Sequence, residues 1–427
     1  MAQEVAVRDA AALPPDTAAQ AKFKTFHSLR YRDYRFLWLG QVGAAASLWM
    51  EQLARPLLML SLTDSAFLVG LVTATRMVPM LLVGIWAGVI ADRADKRQIL
   101  LVTKSVTLLT HLTTAAVILT GVIEPWMVFV TTFIGGSAMA FDQPARQSLI
   151  PRLVPRESIA NAVALNSAAM NVMRIAGASA AGLVLAVFDY GELYLLQSLI
   201  YVGVLASLFQ INFRRSEQDS TRRQQTSALA DLREGFAAVR RDSVILYVLG
   251  LSLILFVWGF PYQTVFVPLI AKRALELGDA GAGLLVALTG AGALLGSLTI
   301  ATAGDTLGRR GLVMLGQIAL FSLGLLLFSR AEVLLLVVPA LLLTGAMQTS
   351  FMSLNNAFVL GRTPPELQGR IMSLFSLDRG LIPLGATVGG LLAEALGPQD
   401  ALTIMASICL ACTLLVAAFV PTIRRIH

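Results

Sequence analysis

Glu51 and Arg55 lie four residues apart inside a long apolar run, so a helix would bring a carboxylate and a guanidinium to one face. A carboxylate sunk in hydrocarbon takes up a proton readily, and a nearby cation makes it give the proton back. A pair whose spacing changes with shape can therefore couple proton movement to a conformational cycle. Arg76, Lys104, Arg174, Asp378 and Arg379 also interrupt apolar runs, where ionisable groups are functional candidates by default. Glu51 and Asp378 are the candidate proton carriers, and Arg76 and Asp378 would pair if their runs adjoin. Lys104 is expected to extend its head to the membrane surface, and His111 to act as a buried polar filler. For Arg174 and Arg379, local neutralisation and a functional role both stay open.

A second set is aromatic and amide. Trp258, Tyr262, Gln263 and Phe266 fall in one run, and Gln348, Phe351 and Asn355 in another. Together with Arg55 and Arg76 they could line a cavity for lipophilic or amphiphilic compounds, held by adaptable contacts. Away from the run ends, and apart from Asp142, the runs carry five bases against two acids, which favours neutral or anionic substrates.

The elements that must position these groups follow from composition. Of 427 residues, 56% are apolar and only 14% charged, whereas a soluble chain carries about a quarter charged. One spanning helix needs roughly 20 apolar residues. Twelve runs meet that need, at about 36–61, 66–91, 98–120, 126–147, 159–187, 192–212, 244–270, 280–303, 311–329, 333–358, 368–395 and 400–421. The expected fold is an all-α membrane protein of twelve transmembrane helices in two six-helix bundles. It divides into a tail and interfacial segment (1–35), a first bundle (36–212), a linker (213–243), a second bundle (244–421) and a short tail (422–427). Of 33 Lys and Arg residues, 25 fall at one set of ends and three at the other. Basic residues stay cytoplasmic, so both termini and the linker are expected inside a plasma or inner membrane. The positive charge then faces anionic lipid rather than nucleic acid. The aromatic and basic segment Phe23–Phe36 is expected to lie along the inner surface.

The chain also repeats itself. Gly88 to Arg97 after the second run matches Ala301 to Arg310 after the eighth, with Asp92 and Asp305 separated by 213 residues. Gly177-Ala-Ser-Ala-Ala-Gly182 in the fifth run matches Gly385-Ala-Thr-Val-Gly389-Gly390 in the eleventh. Parallel repeats of this kind imply a midplane site between two halves that rock on each other. Small residues at Gly177, Gly182, Gly385, Gly389 and Gly390 are expected to pack the bundles together.

The loop run G-x-x-x-D-R-x-x-K-R, its second copy and the twelve-span layout resemble the major facilitator superfamily. Leu62 to Gly70, Phe141 to Gln147 with Pro151 to Pro155, and Asp231 to Phe236 are most similar to its drug:proton antiporter branch, which includes the enterobactin exporter and macrolide efflux proteins. The resemblance implies a gating charge relay among Asp92, Arg93, Lys96, Arg97, Asp142, Arg146, Asp305 and Arg309, with Arg93 on Asp142. Asp95 stands where the family often has Gly, and the branch's Gly-Pro-x-x-Gly-Gly motif lacks its Pro at Ala178. The function implied is proton-coupled efflux of a drug, siderophore or secondary metabolite by alternating access, in a monomer. Import by the same fold, or a sensor that binds without transporting, shares these features.

Catalysis is not expected. No P-loop and no G-x-S-x-G turn occurs. His27, His111 and His427 are too scattered for a metal site, Cys409 and Cys412 lie in one apolar run, and no cofactor is called for. The first twenty residues have no apolar core, so no secretory signal is expected.

Overall fold

The computed structural model describes residues 26–211, 236, 240, 242–303, 308–363, 371 and 379–424; at 84–89, 91–93, 303 and 379 it describes the backbone alone. Most of the expected linker 213–243, the tail 1–25, Asp305 and Asp378 lie outside the described residues. The helices are α1 (Arg32–Thr63), α2 (Ala66–Arg93), α3 (Lys96–Leu119), α4 (Pro125–Leu153), α5 (Ile159–Leu185) and α6 (Tyr190–Phe209). There follow α7a (Ser243–Ile254), α7b (Phe266–Arg273), α8 (Gly278–Ala303), α9 (Arg310–Arg330), α10 (Leu334–Arg362), α11 (Ile382–Leu396), α12 (Pro398–Phe419) and the short α13 (Pro421–Arg424). Among the described residues, nine stretches are long and apolar enough to cross a membrane. The other three expected runs coincide with α1, α4 and, in its described part, α11.

Local signals explain the boundaries. Ser65 caps α2 by accepting from the Leu68 N–H, Asp95 caps α3 by accepting from Arg97, and Asp189 with Glu192 forms a capping box on α6. Pro125 and Pro398 stand in the first turns of α4 and α12, where a missing N–H costs nothing. The seventh run is not one helix. A π turn at Leu255–Gly259 and a 3-10 turn at Phe260–Tyr262 separate α7a from α7b, with Pro261 removing a backbone donor.

The neighbour pattern occurs twice. In the first half α2 packs on α4, α3 on α4 and α6, and α1 on α5; in the second α8 packs on α10, α9 on α10 and α12, and α11 on the broken seventh run. Across the seam α5 meets α8, and α2 meets α11. The described part of the segment expected along the inner surface docks on the start of α5. Ser28 is buried and donates to the Ser158 carbonyl, Tyr34 Oη to the Ala162 carbonyl (2.7 Å) and Trp38 to the Leu165 carbonyl. Burying the Tyr34 ring while pairing its hydroxyl satisfies both the apolar and the polar part of the side chain.

Candidate functional site

Among the described residues, three buried polar clusters in the helix interiors hold the candidate charges. In the first, Glu51 on α1 is shared by three cations or potential cations. Arg55, one turn on, pairs with its Oε1; Arg76 Nη1 on α2 lies 3.0 Å from Oε2; His111 Nε2 on α3 lies 3.5 Å from Oε1. The His111 ring meets the edges of Tyr194 and Tyr201 of α6, at 5.9 and 5.2 Å. Arg76 thus pairs with Glu51, and α2 and α11 adjoin as the expected Arg76–Asp378 pair requires, though Asp378 itself lies outside the described residues. His111 is not an isolated filler, because its helix phase turns it onto the Glu51 carboxylate. Beside the cluster is a cavity of about 20 Å³, the room of one or two waters, lined by Glu51, Gln52, Arg55, Thr73, Arg76 and, from the second half, Thr264.

The second cluster sits on the seam itself. Arg174 of α5 donates through Nη2 to Gln263 Oε1 (3.0 Å) and Gln348 Oε1 (3.3 Å), both from the second half. Tyr262 Oη also donates to Gln348 Oε1, and the guanidinium lies 5.3 Å from the Trp49 ring of α1. Of the residues expected to line a cavity, Tyr262, Gln263 and Gln348 thus converge on Arg174. Phe266 and Asn355 do not join them. Phe266 packs on Gly389 within its own half, and Asn355 Nδ2 donates to Ser252 Oγ (2.6 Å), also within that half. Phe351 is fully buried and Trp258 half-buried beside the π turn.

The third cluster holds Asp142 of α4. Lys104 Nζ lies 2.8 Å from it, Arg146 Nε 3.6 Å, and Thr103 Oγ1 3.4 Å, while Arg146 also donates to Asn166. Lys104 therefore does not extend to the surface. It is buried, two turns inside α3, because a carboxylate on the next helix is a nearer partner than water. The Asp92 and Arg93 side chains, Asp305 and Asp378, and with them the expected Arg93–Asp142 pair, lie outside the described residues. Arg97 reaches the Phe209 carbonyl, Lys96 is half-buried, and Arg309 is exposed just before α9.

The glycines sort into two kinds. A Cβ on Gly182 would stand 2.9 Å from Gly283 Cα of α8, and one on Gly390 3.0 Å from Gly70 Cα of α2, so both lie at the seam. Gly177, Gly385 and Gly389 do not pack the bundles together, which corrects the expectation. Gly177 faces Ala46 and Trp49 of α1, Gly385 faces Val257 and Pro261, and Gly389 faces Phe266 and Met405, each inside its own half. The reason is helical phase: five residues separate Gly177 from Gly182 and Gly385 from Gly390, which turns the members of each pair to different faces. Polar contacts close the same end of the seam. Glu394 of α11 accepts from the Ala66 and Phe67 N–H groups at the start of α2 (2.6 and 3.3 Å). Arg273 pairs with Asp64 (2.9 Å), and Tyr190 donates to Asp279 (2.7 Å). Sequence reasoning missed Gly70, Gly283 and Glu394. The glycines differ by 213, the repeat offset, and that signal could have found them.

Comparison with known proteins adds four findings. A family profile described as transmembrane secretion effector matches residues 23–425. The staphyloferrin A transporter of Staphylococcus aureus (strain NCTC 8325 / PS 47) is 24% identical over 389 residues, covering 90% of this chain and 92% of that protein. Macrolide efflux protein A of Streptococcus pyogenes is 22% identical over 408 residues, covering 91% and 96%. The crystal structure of the nucleoside transporter NupG shares the fold, with a TM-score of 0.74 at 14% identity over 91% of this chain and 98% of that one.

Proposed function

Because the chain belongs to the transmembrane secretion effector family of the major facilitator superfamily, we propose that it exports an amphiphilic small molecule in exchange for protons. The similarity to a macrolide efflux protein supports export over import. In this reading residues 36–212 and 244–421 are two rocking bundles of a monomer in the lipid bilayer, with both termini in the cytoplasm. The Asp64 end is then the outer end, held closed by the seam glycines, Glu394, Arg273 and Tyr190.

The observation that carries the coupling is the sharing of one buried carboxylate, Glu51, among Arg55, Arg76 and His111 beside a cavity that the second half completes through Thr264. Protonating Glu51 would loosen its contacts to Arg76 and His111 on two other helices, so one proton changes the contacts of α1, α2 and α3 together. Asp378 is the second candidate carrier. Asp92, Arg93, Lys96, Arg97, Asp305 and Arg309 would brace the inner end, and Asp142 with Arg146 would anchor that brace in the first half.

The test is flux in proteoliposomes under an imposed pH gradient, with a macrolide and staphyloferrin A as cargoes. Wild type should accumulate at least one of them against its gradient, and Glu51→Gln should lose gradient-driven accumulation while still binding cargo. Gradient-driven flux surviving in Glu51→Gln would remove Glu51 from coupling, and no flux of either cargo in wild type would overturn the export reading.

A further inference from the structure

We propose that Arg174 is the anchor for a carboxylate group of the transported molecule, with the amide groups of Gln263 and Gln348 completing the site; the inference rests on the transporter reading above. Among the described residues, the buried cations Arg55 and Lys104 each meet a carboxylate, and Arg174 meets none. Only 8% exposed, it sits between the two halves with neutral partners. A desolvated charge without a counter-charge is expensive, and a bound anion would offset that cost.

The atoms left without partners share one chemistry. A guanidinium can only donate, so both glutamines must turn their carbonyl oxygens towards Arg174. That orientation leaves Gln263 Nε2, Gln348 Nε2 and Arg174 Nε as buried donors with no acceptor. Three unsatisfied donors around one positive charge call for a group rich in acceptors. A carboxylate offers about four lone pairs in one plane, matching the planar guanidinium. It also brings one negative charge for the one cation present, where a phosphate dianion would leave an excess in a low-dielectric seam.

The surroundings give the rest of the molecule somewhere to go. Trp49 and Gln52 lie three apart on α1, on one helix face, and Gln263 is followed by Thr264. Gln52 and Thr264 line the cavity beside Glu51, while Trp49 and Gln263 touch Arg174. A ligand anchored at Arg174 would thus extend along the seam towards the proton carrier. Its anchor would draw donors from both halves, so separating the halves would loosen it.

The experiment uses the purified full chain in detergent, read by thermal unfolding and by tryptophan emission, since Trp49 stacks on the guanidinium. The probes are acetate, benzoate, citrate, the methyl esters of these acids, and inorganic phosphate. At least one acid should raise the unfolding temperature and shift the emission, and its ester should do neither. Trp49→Phe should remove the emission change and keep the thermal one. Arg174→Gln should weaken the acid about tenfold or more, as expected for loss of a charge-assisted pair. Should Arg174→Gln fail to fold, Gln348→Glu decides: it supplies a carboxylate in place, so it should fold stably and stop responding to acids. No response of wild type to any acid, esters as effective as acids, phosphate as effective as the best acid, or an unchanged response in Gln348→Glu would each overturn the proposal. Gradient-driven flux without an acid response would sink this inference alone. An acid response without flux would sink the export reading and leave the site standing.

Discussion

Adding one methyl group at Gly283 should open the Asp64 end of the molecule. The new Cβ would stand 2.6 Å from Gly182 Cα and 3.0 Å from the Ala178 carbonyl oxygen, against an ordinary contact of 3.4 Å. Both obstacles are backbone, so no rotamer change relieves them, and α5 and α8 must part by roughly 0.8 Å at this point. Overpacking of this kind costs about 1–3 kcal/mol. The cost falls only on the conformation in which the halves touch here, because in a separated state the methyl group meets nothing. The gain in helix propensity from Gly to Ala applies to both states and cancels. The closed-to-open ratio should therefore fall by about 5- to 150-fold. Glu394 and the Arg273–Asp64 pair are largely exposed, so each contributes about 1 kcal/mol or less. Glu394→Gln should consequently open the end less than Gly283→Ala. Spin labels at Val122→Cys and Val333→Cys, in a background lacking Cys409 and Cys412, would read the separation across this end as a distance distribution. A longer-distance population should grow in Gly283→Ala. An unchanged distribution in the folded variant, or equal opening by Glu394→Gln, would refute the claim that glycine packing holds the end closed.

Three further outcomes are expected. Lys104→Met should lower the unfolding temperature as a buried ion pair loses one partner, a penalty of about 3–5 kcal/mol, and Lys104→Met with Asp142→Asn should recover part of it; a silent single variant would mean that Asp142 is satisfied by Arg146 alone. Glu51→Gln strands two guanidinium groups and should destabilise, whereas adding Arg76→Gln should restore some stability, since the two changes share one cluster. A third concerns the ion pair that joins the end of α10 to the start of α7a. Burial pushes the Asp242 carboxyl up, but hydrogen bonds from Arg362 (2.7 Å) and the Val244 N–H outweigh it and hold the group below its usual range. A depressed carboxyl stabilises above its unfolded value and loses that contribution as pH falls through its folded one. The melting-temperature gap between wild type and Asp242→Asn should therefore shrink in acid, and a gap independent of pH would exclude the linkage.

Much of the architecture could be read from one dimension. Partition between water and hydrocarbon depends on composition over about twenty residues, so the apolar runs located the helices. Duplication leaves a fixed offset, so the matching of Asp92 with Asp305 announced two equivalent halves before any contact was known. The start of each helix was also local, as with Ser65, Asp95 and Asp189, whose caps need only their own next turn. Partner choice was not local. Nothing in the spacing pairs Arg76 with Glu51, and Lys104 could have met water. The rotation and tilt of each helix, set by packing against its neighbours, brought Arg76 to Glu51 and Lys104 to Asp142 instead. The same rotation sends Gly182 to the other half and Gly177 to its own, though a few residues part them. The gathering of Arg174, Gln263 and Gln348, 174 positions apart at the extremes, likewise belongs to the docking of one half on the other. Hydrophobicity determines that a helix spans and how long it is; only the packed assembly determines which of its faces meets which charge.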